Sequence, residues 1–133
     1  MTEIVFSRRL KDLLSRDPKF LQRDIELLKL GRHFRINEGT KIVVGRDQKE
    51  NEMITSLIEA GDTILTVESF PGPTVLATGE LSSEEIQLAA SITVSYSDAV
   101  IGQTVAVQLK RDTKCRTVLA TGKEKTNLHQ LMI

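Results

Sequence analysis

The chain has 133 residues, enough for one domain with one buried core, and its 40% hydrophobic and 27% charged content is that of a folded chain rather than a disordered one. With 18 basic and 18 acidic residues the net charge is zero, which argues against a strongly basic, autonomous nucleic-acid binder. Aromatics make up 4% with no Trp, so the core is aliphatic, and a base-stacking platform of exposed rings is disfavoured.

A single cysteine, Cys115, excludes an intrachain disulfide and a cysteine-based zinc site. The two histidines, His33 and His129, lie too far apart for metal-ligand spacing, and neither a metal nor another cofactor is expected. The start of the chain carries charges where a signal peptide needs an apolar run, and no stretch reaches membrane-spanning length. A reducing cytoplasm is the expected location.

Phe6, Leu10, Leu13 and Leu14 fall at helical spacing and predict an amphipathic helix ending near Asp17-Pro18. Residues 20–30 read as a second short helix or the beginning of extended chain. From Gly31 the period becomes two, and residues 33–36 and 41–44 around Asn37-Glu38-Gly39 predict a hairpin. Asp47 with Glu50 is a capping-box-like start for a helix over 47–60, with Met53, Ile54, Leu57 and Ile58 as its buried face.

Strands are predicted over 63–67 and 74–78, separated by the rigid loop Ser69-Phe70-Pro71-Gly72-Pro73. Ser82 and Glu85 form a second capping box for a helix over 82–97, and residues 104–120 read as a closing hairpin with a polar tip at 110–114. The tail, 123–133, is a frayed end or a short edge element. The string Thr74-Val-Leu-Ala-Thr-Gly79 recurs as Thr117-Val-Leu-Ala-Thr-Gly122. Two strands of similar burial explain it more simply than a duplicated hairpin. The predicted fold class is α+β: a single mixed, mostly antiparallel sheet with two long helices packed on it and an N-terminal helix.

No residue constellation supports catalysis. His33 has no triad partner in sequence, and a structural role is the plainer reading. Cys115 reads as a buried small apolar residue. Arg32, His33 and Arg35, with Lys41 and Arg46, form the densest basic neighbourhood, either a phosphate-contacting stripe or a solvated sheet face. Gly45-Arg46-Asp47 joins a strand to a helix N-terminus, where an anion could sit, although a plain cap suffices.

The run Glu26-Leu-Leu-Lys-Leu-Gly-Arg-His-Phe-Arg35, then Lys41-Ile-Val-Val-Gly-Arg-Asp47 with Glu50-Asn51, resembles the NFACT-R type of RNA-binding domain. Phe70-Pro-Gly-Pro73, Ala89-Ala90 and Tyr96-Ser97 extend the resemblance. The variant it looks most like stands at the C-terminus of PP-loop enzymes related to tRNA thiouridylases, and Phe6–Leu14 looks like their linker helix. The resemblance implies a linker segment over 1–30 and the domain proper over 31–133. It also implies a non-catalytic accessory role toward tRNA, with a PP-loop catalytic domain as partner in cis or in trans. The RNA-contacting residues implied or suggested are Arg32, His33, Arg35, Gly45, Arg46, Asn51, Pro71, Gly72, Tyr96, Lys110 and Arg111. The PP-loop signature and the paired thiolation cysteines are absent, so this chain itself is expected to catalyse neither adenylation nor sulfur transfer. The alternative is a protein-interaction or dimerisation module.

Overall fold

The computed structural model describes residues 2–16 and 21–133. In chain order the elements are α1 (Glu3–Arg16), α2 (Gln22–Leu27), β1 (Arg32–Asn37), β2 (Thr40–Val44), α3 (Gln48–Ser56), β3 (Thr63–Val67), β4 (Val75–Ala77), α4 (Ser83–Ser95), β5 (Thr104–Arg111) and β6 (Lys114–Thr121). Two 3-10 turns, Lys125–Asn127 and His129–Leu131, follow. The strands form one six-stranded sheet in the order β1-β2-β4-β3-β5-β6. This is the α+β fold expected, and every pairing in the sheet is antiparallel.

Side-chain alternation gives the sheet two faces. On one, Phe34, Ile42, Val75, Leu65, Val107 and Ala120 pack beneath α4, whose Ala89 and Ala90 let the helix approach closely. Ser82 and Glu85 close a reciprocal capping box at its start, as their spacing predicts. On the other face, Val43 and Leu76 pack with Leu27, Leu30 and Ile54, so α2, the turn after it, and α3 cover the β1–β2–β4 side and reach as far as Ile64 of β3. There the far face of β5 and β6 is left in solvent: Lys110, Cys115, Thr117 and Leu119 are all exposed. Cys115 is therefore not the buried apolar residue expected.

Three local expectations change. The helix after Asp47 stops at Ser56, short of residue 60, because Leu57 leaves helical geometry and the next amides bond three residues back. Its buried face narrows to Ile54 and the half-buried Leu57, and Met53 and Ile58 lie exposed. Along α1 the inward residues are Arg9 and Leu13, while Leu14 points out. Arg9 donates to the carbonyls of Leu28 (2.9 Å) and Gly31 (3.1 Å), which seats α1 on the α2–β1 connection. Burial, then the neighbouring Arg46 and Arg8, bring its pKa down to about 10. The expected end of α1 at Asp17-Pro18 lies outside the described residues. The tail is folded back: Leu128 is buried, Met132 bridges to Phe34, and the Ile133 N–H donates to the His33 carbonyl at 2.9 Å.

Candidate nucleic-acid interface

Where β2 runs into α3, the chain must turn while satisfying the free amides of a helix N-terminus. Asp47 does half of this, accepting from the Glu50 N–H at 2.8 Å. The reciprocal half of a capping box does not form. Instead Glu50 turns outward from the helix and accepts the Arg46 N–H (3.0 Å), the Arg46 guanidinium (2.9 and 2.8 Å) and the Gly31 N–H (3.0 Å). Bonding to Arg46 first, and to the two backbone amides, holds the Glu50 carboxyl at about 2 against its burial. Glu50 thus fixes Arg46 to the strand–helix junction and ties both to the start of β1. Arg46 keeps nearly half of its side chain exposed.

Gly45 and Asn51 join this junction to the loop before β4. The Asn51 side-chain oxygen accepts the Thr74 N–H at 3.0 Å, and the Gly45 N–H donates to the Thr74 carbonyl at 3.1 Å. A Cβ on Gly45 would collide with that Asn51 oxygen, so glycine is what allows the approach. The Pro71-Gly72-Pro73 loop then abuts the end of α4. The Pro71 carbonyl accepts the Asp98 N–H at 2.9 Å, and a Cβ on Gly72 would lie 2.9 Å from the Ser97 Cβ.

These contacts enclose an open cleft of about 340 Å³ lined by Arg32, Gly45, Arg46, Asp47, Gln48, Asn51, the Pro71–Pro73 loop, Tyr96, Asp98 and Lys125. Tyr96 caps α4 at its C-terminal end, its ring tilted against Phe34 with centroids 5.8 Å apart. The Arg32 guanidinium and the Lys125 ammonium each sit 5.0 Å from the Tyr96 ring centroid, within cation–π range. Both cations also lie by the negative end of the α4 dipole. Burial raises the Tyr96 hydroxyl pKa, and Arg32 partly offsets that rise. Asp47 occupies only the Glu50 amide, so the first-turn amides of Gln48 and Lys49 have no acceptor within α3.

Seven of the residues singled out in sequence therefore converge: Arg32, Gly45, Arg46, Asn51, Pro71, Gly72 and Tyr96. Four do not. His33 and Arg35 share a face, but it is the face that α1 and α2 cover. His33 Nε2 donates to the carbonyls of Leu27 and Leu30, both at 2.9 Å. Burial, then Lys41 and Arg9, hold the ring well below its ordinary pKa, so it is a neutral core residue and not an RNA contact. Arg35 is buried against Asp12 of α1, at 3.0 and 2.5 Å. Lys110 and Arg111 point to opposite faces of β5, and Arg111 is in register with Thr63 rather than with the cleft end of the sheet. From β1 they lie four strands away, about 19 Å.

Lys125 was not readable as a site residue, because the tail that carries it has no periodicity. Leu128, its buried anchor, is the only apolar signal between residues 123 and 130. Among the described residues no group of three or more His, Cys, Asp or Glu could hold a metal ion, and no helix is long and apolar enough to cross a membrane.

A family model described as the NFACT protein RNA binding domain matches residues 31–130, a span that takes in the whole cleft and Lys125. No curated protein matches the chain. Among solved structures, the C-terminal part of the fibronectin/fibrinogen-binding protein from Streptococcus suis superposes with a TM-score of 0.66 at 17% identity. That likeness covers 100% of this chain and 63% of the other, and at this identity it speaks to fold alone.

Proposed function

The chain belongs to the family of the NFACT protein RNA binding domain, and from that premise we propose that the Arg32–Tyr96–Lys125 cleft is where it holds RNA. The observation that carries this reading is the placement of two cations from opposite ends of the domain over one half-exposed ring. Arg32 and Lys125 are positioned to take phosphates, and the first-turn amides of α3 offer a further acceptor-poor edge. Arg46 acts as a fixed wall with spare N–H capacity rather than a free clamp, since Glu50 already engages it on two nitrogens.

Two carboxylates, Asp47 and Asp98, share the cleft, and they limit how much polyanion it attracts. Binding is therefore weak and local, fitted to an unpaired loop or end whose backbone can bend into a narrow site, rather than to a long duplex. We infer further that the RNA is tRNA, and that the domain serves a PP-loop catalytic domain in cis or in trans in the cytoplasm. That finer reading rests on the order of sequence motifs and on the likeness of residues 6–14 to the linker helix of such enzymes. α1 is seated on the domain by Arg9 and by the Arg35–Asp12 pair, a suitable anchorage for such a linker.

Titration with tRNA at two salt concentrations tests the site. Arg32→Ala with Lys125→Ala, folding checked by circular dichroism, should flatten the slope of log affinity against log salt by roughly 0.7 for each phosphate no longer neutralised. An unchanged slope removes the cleft from the RNA site, and no binding by the wild type at low salt removes RNA altogether. Thiolation of tRNA by a PP-loop domain, measured with and without this chain, tests the finer reading.

A further inference from the structure

At the opposite end of α4, the sheet holds a second groove. It measures about 470 Å³ and is lined by Leu81, Ile86, Leu109 and Thr63, with Arg111, Lys114 and Arg116 around it. Among the described residues, the one acidic neighbour paired with these cations is Glu80, 4.0 Å from Arg111 and itself almost fully in solvent.

The groove opens onto β6, the outermost strand, eight residues long and exposed from Lys114 through Thr117. Long unprotected edges are rare because their outward N–H and C=O groups recruit other strands. The far half of this edge is protected. Gln87 Nε2 donates to the Leu119 carbonyl and Ser91 Oγ to the Thr121 carbonyl, each at 2.6 Å. Those carbonyls point away from β5, and in an antiparallel strand the outward groups recur every second residue. The N–H and C=O of Cys115 and Thr117 thus face outward as well, beyond the reach of Gln87 and Ser91. The opposite edge of the sheet differs, since the tail covers β1 through Met132 and Ile133.

We propose that this groove and the open half of β6 receive an extended peptide segment whose every second residue is acidic, which adds to the sheet as a seventh strand. Its backbone pairs with Cys115 and Thr117. Alternate side chains then stand opposite Lys114 and Arg116, where carboxylates are favoured. Lys114, Arg116 and Arg111 all lie on the α4 face by register, so the acidic side of the added strand is the one turned to the groove, and its intervening residues turn to the far face beside Cys115 and Thr117. A second copy of this chain fits poorly, because pairing the open half of β6 with itself sets cation against cation. RNA fits poorly too: the groove offers phosphates three cations but no ring on which a base could stack.

The test uses a fluorescent peptide of about six residues, alternating glutamate and valine. Three proteins are compared: wild type, Lys114→Glu with Arg116→Glu, and Thr117→Pro, which deletes one outward N–H that an edge strand does not use internally. Thermal melts establish that each is folded, and a tRNA titration is run on all three. The expected result is salt-sensitive peptide binding by wild type, about tenfold weaker in each variant, with tRNA binding unchanged. Four results overturn the proposal: no peptide binding by wild type, equal binding by all three, loss in the charge variant alone, or loss of tRNA rather than peptide affinity. Loss in the charge variant alone would exclude strand addition, and loss of tRNA affinity would assign the groove to RNA.

Discussion

β4 and β6 carry the same six-residue string, yet one lies at the heart of the sheet and the other at its rim. In both, Val and Ala (Val75 and Ala77; Val118 and Ala120) face α4, and Leu faces the other way. Leu76 meets Leu27, Leu30 and Ile54 and is 0% exposed, whereas Leu119 meets no covering helix and is 65% exposed. The residues determine the alternation, and the neighbours determine whether a face is worth burying. The two copies are consequently neither in equivalent sheet positions nor of equal burial. The repeat reflects a shared demand from α4 on one face only.

Truncating the leucines should separate the two copies most sharply. Leu76→Ala opens a cavity in a sealed cluster and should cost about 3 kcal/mol, while Leu119→Ala should stay within about 0.5 kcal/mol. Urea denaturation reads both, and equal costs would break the comparison. The glycines that end each string should diverge next. Gly79 has φ +78°, and a Cβ there would strike the Gly39 carbonyl oxygen; Gly122 has an ordinary φ and a Cβ contact of 3.3 Å to Val94. Gly79→Ala should cost about 2 kcal/mol and Gly122→Ala under about 1 kcal/mol, measured by thermal melting.

The smallest difference is in acid. His33 lies in the doubly covered half, with its folded pKa below the unfolded value, so its contribution is complete above about pH 6.5 and declines as pH falls below it. The slope is at most about 1.4 kcal/mol per pH unit for one proton. The Glu50 contribution is lost only between the ordinary carboxylate range and about pH 2, so the Arg46 clamp outlasts the onset of His33 protonation. His33→Gln should flatten the curve between about pH 6.5 and 5, whereas charge changes on the β5–β6 hairpin should leave its shape alone. Stability curves from urea titrations at several pH values decide it.

Much of the fold was legible because local rules are strong here. The Ser82–Glu85 box, the two-residue period after Gly31 and the strand over 63–67 all appear where their patterns place them. The cleft was legible as a set of residues but not as a set of roles. Gly45, Pro71 and Gly72 shape it through backbone approach, and Asn51 through a side-chain bond to the Thr74 amide that only the fold brings within reach. His33 and Arg35 were misplaced for a definite reason: a strand pattern says which residues share a face, not which face a helix will cover. Lys125 carries no sequence signal because only a returning tail brings it near Tyr96.

The Glu50 clamp has a consequence for the kinetics of encounter. An arginine side chain free in solvent samples many rotamers, and ordering it on a ligand costs on the order of 2 kcal/mol. Arg46 has given up that freedom during folding, so under the proposed reading an arriving phosphodiester would meet a wall already in place. Such a site gains little from induced adjustment. Its selectivity then comes from rejecting backbones whose curvature does not match a fixed contour, and mismatched strands should depart quickly rather than arrive slowly.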